Sequence, residues 1–248
     1  MTIESAYDLR GLLAAGRLVG ETLQEMAAAA RPGVTTAELD EMARERLRRA
    51  GARPAPALTY GFPGVACISV NDEAAHGIPG PRGLAPGDLV KLDLSLELGG
   101  YFADAAVTVA VPPVPASHQR LCEATERALN EAVDAAQAGR PLRAIGQAAE
   151  RAARRAGFSL IRELNGHGVG RALHEEPSFI PLYDDPKARA MLHEGLVLTI
   201  EPHIALGRGR VYQAADGWTL KTRDGSPVAN FEHTVVITAG RPLIVTAV

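Results

Sequence analysis

The run DLVKLDLSLELGGYFADAAVTVAV, residues 88–111, limits the possible folds more than any other stretch of the chain. Its first half alternates strictly. Leu92, Leu94, Leu96 and Leu98 face one way, and Asp93, Ser95 and Glu97 face the other. Gly99 and Gly100 provide a two-residue hairpin turn between strands at 88–98 and 101–111. Folding about that turn pairs Leu98 with Tyr101, Ser95 with Asp104 and Asp93 with Ala106. Asp93 and Asp104 then become diagonal neighbours on one face, with Cα atoms on the order of 7–8 Å apart. That face has two open readings. It is either the solvated side of a half-exposed hairpin, or a place where two carboxylates converge on a cation.

The rest of the chain must decide between them. Leu9, Leu12, Leu13, Gly16, Val19, Gly20 and Leu23 recur at helical spacing, so the first fifty residues are expected to be helical. RPGV at 31–34 interrupts them, and Thr35 and Thr36 offer caps for a second helix with Glu38 in its first turn. Gly51 to Pro56 reads as another break, and VACISV at 65–70 as a strand. PPVP at 112–115 stops the hairpin. Residues 117–138 and 141–156 suggest two more helices, and the remainder reads as strand and loop, including 195–202, RVYQ, GWTLKT and 230–238. Two helices followed by strands, twice over, suggests an α+β duplication about a pseudo-two-fold axis. The halves would run from about 1–113 and 114–248 of a single domain.

Other candidate ligands lie in the second half. In NGHGVGRALHEEP, 165–177, His167 sits between two glycines and His174 follows seven residues later. Glycines there allow backbone or ligand to approach closely. Glu201 ends the apolar run VLTI, and Glu232 immediately precedes another apolar strand. Taken singly, each is an ordinary strand-end or surface residue. Together with Asp93 and Asp104 they form an oxygen-rich set with one imidazole, which suits harder divalent metals better than a cysteine-rich structural zinc site. That many carboxylates also suggests two ions, because one cation would leave them strongly self-repelling. A paired-metal site lowers the pKa of a water and polarises a carbonyl.

Composition narrows the class. A formal net charge of −3 with scattered Lys and Arg argues against nucleic acid as a partner. Two cysteines, Cys67 and Cys122, fit a reducing cytoplasm better than an oxidising compartment. MTIESAYDLR carries charges where a signal peptide would need an apolar run, and no Cys/His array precedes the domain, so neither a leader nor a zinc finger is expected. No window is long and apolar enough for a membrane span.

The motifs SVNDEAAHGIPG (69–80), KLDLSLELGGYFADAA (91–106), GHGVGRALHEEP (166–177), TIEP (199–202), DGWTLKT (216–222) and FEHTVV (231–236) resemble those of the type I methionine aminopeptidases, in order and spacing over nearly the whole chain. The resemblance implies a pita-bread fold and a cytoplasmic hydrolase. Such an enzyme removes the initiator methionine from nascent polypeptides with a metal-bridging water. It also implies two divalent ions (Co, Mn, Fe or Zn), a monomer, and nascent N-termini presented at the ribosome. Asp93 would bind one metal, His167 and Glu201 the other, and Asp104 and Glu232 would bridge both. Glu201 would carry the proton, His174 would stabilise the oxyanion, and His76 would hydrogen-bond the scissile amide. Phe62, Cys67 and Trp218 would form the methionine pocket, with Cys67 a soft wall and not a nucleophile.

Two positions depart from the family, which often carries aromatics where this chain has Thr59 and Leu173; both are expected near the pocket. His203 stands where the family often has methionine, and His118, His193, His203 and His233 read as structural or surface residues. Three other readings remain. A proline-directed aminopeptidase or dipeptidase of the same fold would usually carry a long extra N-terminal domain. A non-catalytic binding protein of this fold would be expected to lose ligands. A mononuclear iron oxygenase would use the two histidines and one carboxylate but leave the other three carboxylates idle.

Overall fold

The computed structural model describes all residues from Met1 to Val248. In chain order the elements of the first half are α1 (Ala6–Ala29), α2 (Thr36–Ala50), β1 (Arg53–Pro54), α3 (Ala55–Tyr60), β2 (Cys67–Val70), β3 (Glu73–Ala75), β4 (Leu89–Leu98) and β5 (Tyr101–Ala110). There follow α4 (Ala116–Ala135), α5 (Arg143–Arg155), β6 (Ser159–Leu160), β7 (Gly166–Gly168), β8 (Glu175–Ile180) and β9 (Val197–Ile200). The chain ends with β10 (His203–Ala205), β11 (Val211–Gln213), β12 (Leu220–Thr222), β13 (Val228–Asn230), β14 (Glu232–Val236) and β15 (Leu243–Ile244). No helix is long and apolar enough to cross a membrane.

Local chemistry explains the helix ends. Ser5 caps α1 by accepting from the Asp8 N–H at 3.1 Å. Thr35 and Glu38 form a reciprocal capping box on α2, and Gly51 ends that helix at φ 70°. The segment read as a break holds a short helix instead. Pro56 lies within the first turn of α3, where its missing N–H costs nothing, and Gly61 terminates the helix at φ 71°. Six residues are too few to show a period in the sequence.

A nine-stranded antiparallel sheet in the order β1-β4-β5-β14-β9-β7-β8, with β2 on β4 and β15 on β14, runs through both halves. Its helix-facing side is apolar. Leu92, Leu94 and Leu96 of β4 are fully buried with Leu12, Val19 and Met26 of α1. Val235, Leu198 and Ile200 share a second buried cluster with Leu129 and Val133 of α4 and Ile145 of α5. The apolar stripes of the helices therefore cover one face of the sheet, and the other face is left to carry the polar residues. Gly16 and Gly20 let the C-terminal segment lie directly on α1. A Cβ on Gly20 would come within 2.6 Å of the Thr246 carbonyl oxygen.

Candidate metal centre

The hairpin register is the expected one. Leu98 pairs with Tyr101, Ser95 with Asp104 and Asp93 with Ala106. Its polar face is not solvated, however. Asp104 is 7% exposed and Ser95 3%, because the second half of the chain covers it. Strand register extends this face across the molecule. Cys67 of β2 pairs with Asp93, Asp93 with Ala106, and Ala106 with Glu232 of β14. His233 pairs with Ile200 of β9, so one step along that register sets Glu201 beside Glu232. The neighbouring row, two residues along each strand, holds Ser95 and Asp104, then Thr234 paired with Thr199. Gly168 pairs with Leu198, which brings His167 of β7 to the end of that row. Since side chains alternate with period two, two adjacent rows place Asp93, Asp104, His167, Glu201 and Glu232 on one face.

Donor atoms of Asp104, His167 and Glu232 lie within 4.8 Å of one another. His167 Nε2 is 3.9 Å from Asp104 Oδ2 and 3.8 Å from Glu201 Oε1. The Nδ1 of His167 is 3.0 Å from the Gly168 carbonyl oxygen, so it carries the proton and Nε2 turns a lone pair to the carboxylates. Thr199 Oγ1 accepts from the His167 N–H at 3.1 Å and donates to Glu201 Oε1 at 3.0 Å. Thr234 Oγ1 accepts from the Asp104 N–H at 2.9 Å and donates to the Asp104 carbonyl oxygen at 2.7 Å. Neither threonine stood out in the sequence. Both lie two residues from a glutamate, on the same strand face, and that spacing was the available signal.

Two carboxylate oxygens, Asp104 Oδ1 and Glu232 Oε1, are buried without any hydrogen-bond partner. Burial raises the Asp93 pKa to about 7. Burial, followed by the charges of the neighbouring acids, raises Asp104, Glu201 and Glu232 well above the carboxylate range. Burial lowers His167 to about 3, so its imidazole is neutral and able to ligate. Facing acids with orphaned oxygens and a neutral imidazole among them call for protons or a multivalent cation. The donor set therefore fits a divalent metal.

A pH dependence follows. Raised carboxyl pKa values mean that the folded chain favours these groups protonated. Their stabilising contribution is present below the usual carboxylate range near 4. It is lost as pH rises towards about 7, the value for Asp93. A divalent cation reverses the balance, because it binds the ionised groups and competes with protons. Manganese is therefore expected to raise the melting temperature more at about pH 7.5 than at about pH 5. Thermal unfolding with and without the ion checks this, and equal shifts at both pH values would contradict it.

The cluster forms the floor of a cleft of about 420 Å³ that also contains Phe62, Cys67, His76, Leu173, His174 and Trp218. Phe62 and Trp218 meet edge-on, with ring centroids 5.2 Å apart at 84°. Asp216 holds the Trp218 turn by accepting from the N–H groups of Trp218 and Thr219, both at 2.9 Å. Burial pushes the Cys67 thiol well above its ordinary pKa, which keeps it protonated and consistent with a soft wall. His76 sits at φ 56°, a costly conformation for a side chain larger than glycine. It follows β3, whose pairing with β12 ties it to the Trp218 turn. The His174 ring lies 3.9 Å from the His167 ring, centroid to centroid.

Of the two departures, Leu173 lines the cleft and Thr59 does not; the next residue, Tyr60, lines it instead. Tyr60 was missed along with α3, which carries it. His203 is buried behind the centre, its Nδ1 2.9 Å from the Glu201 carbonyl oxygen. His233 faces away and contacts Thr246 at 2.8 Å. His118 approaches the Gly87 carbonyl oxygen and His193 approaches Thr2.

Comparison with known proteins gives a consistent picture. The model of metallopeptidase family M24 matches residues 10–239. The chain is 42% identical over 247 residues to Methionine aminopeptidase 2 of Bacillus subtilis, covering 99% of both chains. It superposes on the crystal structure of methionine aminopeptidase from Thermotoga maritima with a TM-score of 0.96 at 33% identity, covering 100% of each. Prolidase from Pyrococcus furiosus shares the fold at a TM-score of 0.80 and 21% identity. That match spans all of this chain but only 66% of the prolidase. The α+β pita-bread arrangement expected from the motifs is the one these structures have.

Proposed function

This chain belongs to metallopeptidase family M24, and from that premise we propose that it is a hydrolase that removes N-terminal methionine from polypeptides. The observation that carries the reading is the junction of two features in one cleft. Five metal-type donors form its floor, beside an apolar pocket walled by Phe62, Cys67 and Trp218. A thioether suits that pocket, since it is polarisable and packs well against aromatic edges. Retention of all five donors, with His76 and His174, disfavours a non-catalytic binding role. A proline-directed activity is disfavoured because the prolidase is only 21% identical to this chain, whereas Methionine aminopeptidase 2 of Bacillus subtilis is 42% identical over 247 residues.

In this reading Asp93 would hold one divalent ion and His167 and Glu201 a second, with Asp104 and Glu232 available to both. Such ions supply Lewis acidity towards the scissile carbonyl and a water of lowered pKa. The protein groups do the rest. Glu201, oriented by Thr199, takes the proton of the attacking water and passes it to the leaving amine. His174 donates to the oxygen on which negative charge develops. His76 hydrogen-bonds the scissile amide. The aromatic pocket holds the methionine side chain and excludes water from it. We further take residues 1–248 as one catalytic unit with halves near 1–113 and 114–248, acting as a cytoplasmic monomer on nascent chains at the ribosome.

The test is a side-by-side assay of purified protein loaded with Mn(II) or Co(II) on Met-Ala-Ser, Leu-Ala-Ser and Ala-Pro-Ala. Selective release of methionine is expected. Cleavage before proline would move the chain to the proline-directed activity, and no cleavage with metal bound would favour the binding role.

A further inference from the structure

Tyr60 ends the short helix α3 and is 52% exposed, so it contributes little to the core. Its one hydrogen bond is to a residue of the cleft. The hydroxyl oxygen lies 2.7 Å from His174 Nδ1, and the two rings meet edge-on at 5.6 Å. On its other side His174 lies against His167. One nitrogen of His174 is thus committed to the phenol, which leaves the other for the cleft that His174 lines.

A neutral imidazole carries one N–H, and its partner decides which nitrogen has it. A phenol and an imidazole can bond in two ways. The phenol can donate to Nδ1, leaving Nε2–H, or Nδ1–H can donate to the phenol oxygen, leaving Nε2 bare. The first is favoured chemically. A phenol is a good donor, and its oxygen lone pairs are weak acceptors because they delocalise into the ring. A neutral imidazole nitrogen is a strong acceptor. Burial raises the Tyr60 pKa, so the hydroxyl keeps its proton. The two outcomes differ in function. Only the Nε2–H form can donate to an oxygen that gains negative charge during acyl transfer.

We propose that Tyr60 is a positioning residue whose hydroxyl donates to His174 Nδ1, holding that imidazole in the Nε2–H tautomer with the N–H directed into the cleft. The proposal rests on the oxyanion role assigned above to His174. It gives α3 a purpose, because the same six-residue helix leads through Gly61 directly to Phe62 of the methionine pocket. The wall that grips the side chain and the group that orients the donor therefore move as one piece. A change in one residue of α3 would then reach both recognition and rate.

Tyr60→Phe keeps the ring and removes only the donor, and the exposed position makes misfolding a small risk. Nitrogen NMR of the zinc-loaded, isotope-labelled protein reads the His174 tautomer directly. The wild type is expected to show Nε2–H alone, and the variant a mixed tautomer population. On Met-Ala-Ser, kcat is expected to fall about 10-fold, part of the loss attached to removing an oxyanion donor outright, while KM changes by less than about 2-fold. In a His174→Ala background the same substitution should add less than about 2-fold, because its partner is already gone. A wild-type spectrum with Nδ1–H would overturn the proposal. So would an undiminished loss in the His174→Ala background, since Tyr60 would then act elsewhere. If no methionine is released even by the wild type, the proposed function fails, and the spectrum still decides whether Tyr60 sets the tautomer.

Discussion

Asp104→Ala is expected to take methionine release to background. Asp104 is one of the three residues whose donor atoms lie within 4.8 Å of one another. It is the diagonal neighbour of Asp93 across the hairpin, lies 3.9 Å from His167 and has one oxygen, Oδ1, with no protein partner. It lies in the row that ends at His167, beside the row of Asp93, Glu232 and Glu201, and in the proposed reading it is a ligand that two cations would share. Removing it uncouples both, so the loss should exceed the ~10²–10³-fold that follows removal of a single transition-state donor. The expected effect on stability has the opposite sign. Beyond burial, the charges of Asp93 and Glu201 raise the Asp104 pKa and the charge of Asp104 raises that of Glu232, so deleting Asp104 relieves repulsion. The backbone of β5 is unaffected, because Thr234 bonds the main chain of Asp104 and not its carboxylate. Metal-free Asp104→Ala should therefore melt no lower than the metal-free parent while being inactive with metal. Substantial turnover by a metal-loaded variant would contradict the shared-ligand role. Such a divergence of stability and activity is what a site built for function, against local electrostatics, should produce.

How much of this was legible in the sequence depends on how local each signal is. The hairpin was legible to the residue, because strict alternation and a Gly-Gly turn fix register between neighbouring strands. The capping box at Thr35 and Glu38 was similarly local. The burial of the hairpin's polar face was not. It results from pairing between β5 and β14, residues more than a hundred positions apart, where Glu232 meets Ala106. No periodicity within either strand announces that partner. β7 is only Gly166–Gly168, too short and too rich in glycine to show a pattern, yet it carries His167 to the end of the row. α3 escaped notice because two prolines in the segment read as a break, although each sits where a helix start tolerates it. With α3 went Tyr60. The ligand candidates come from strand-end and glycine-flanked positions and their individual roles from motif resemblance, while the hairpin pattern alone leaves its face open between water and cation. Strand register supplies the missing step by setting the five side chains on one surface.

The central claim is that this carboxylate and imidazole face works by holding divalent metal. The most direct measurement is methionine release from Met-Ala-Ser before and after exhaustive chelation, with metal content determined at each stage. Ligand affinity lies in the folded site, so removal should be reversible. The account predicts that turnover falls to background when the metal is gone and returns on adding Mn(II) or Co(II). Unchanged turnover by protein verified to be free of metal would contradict it.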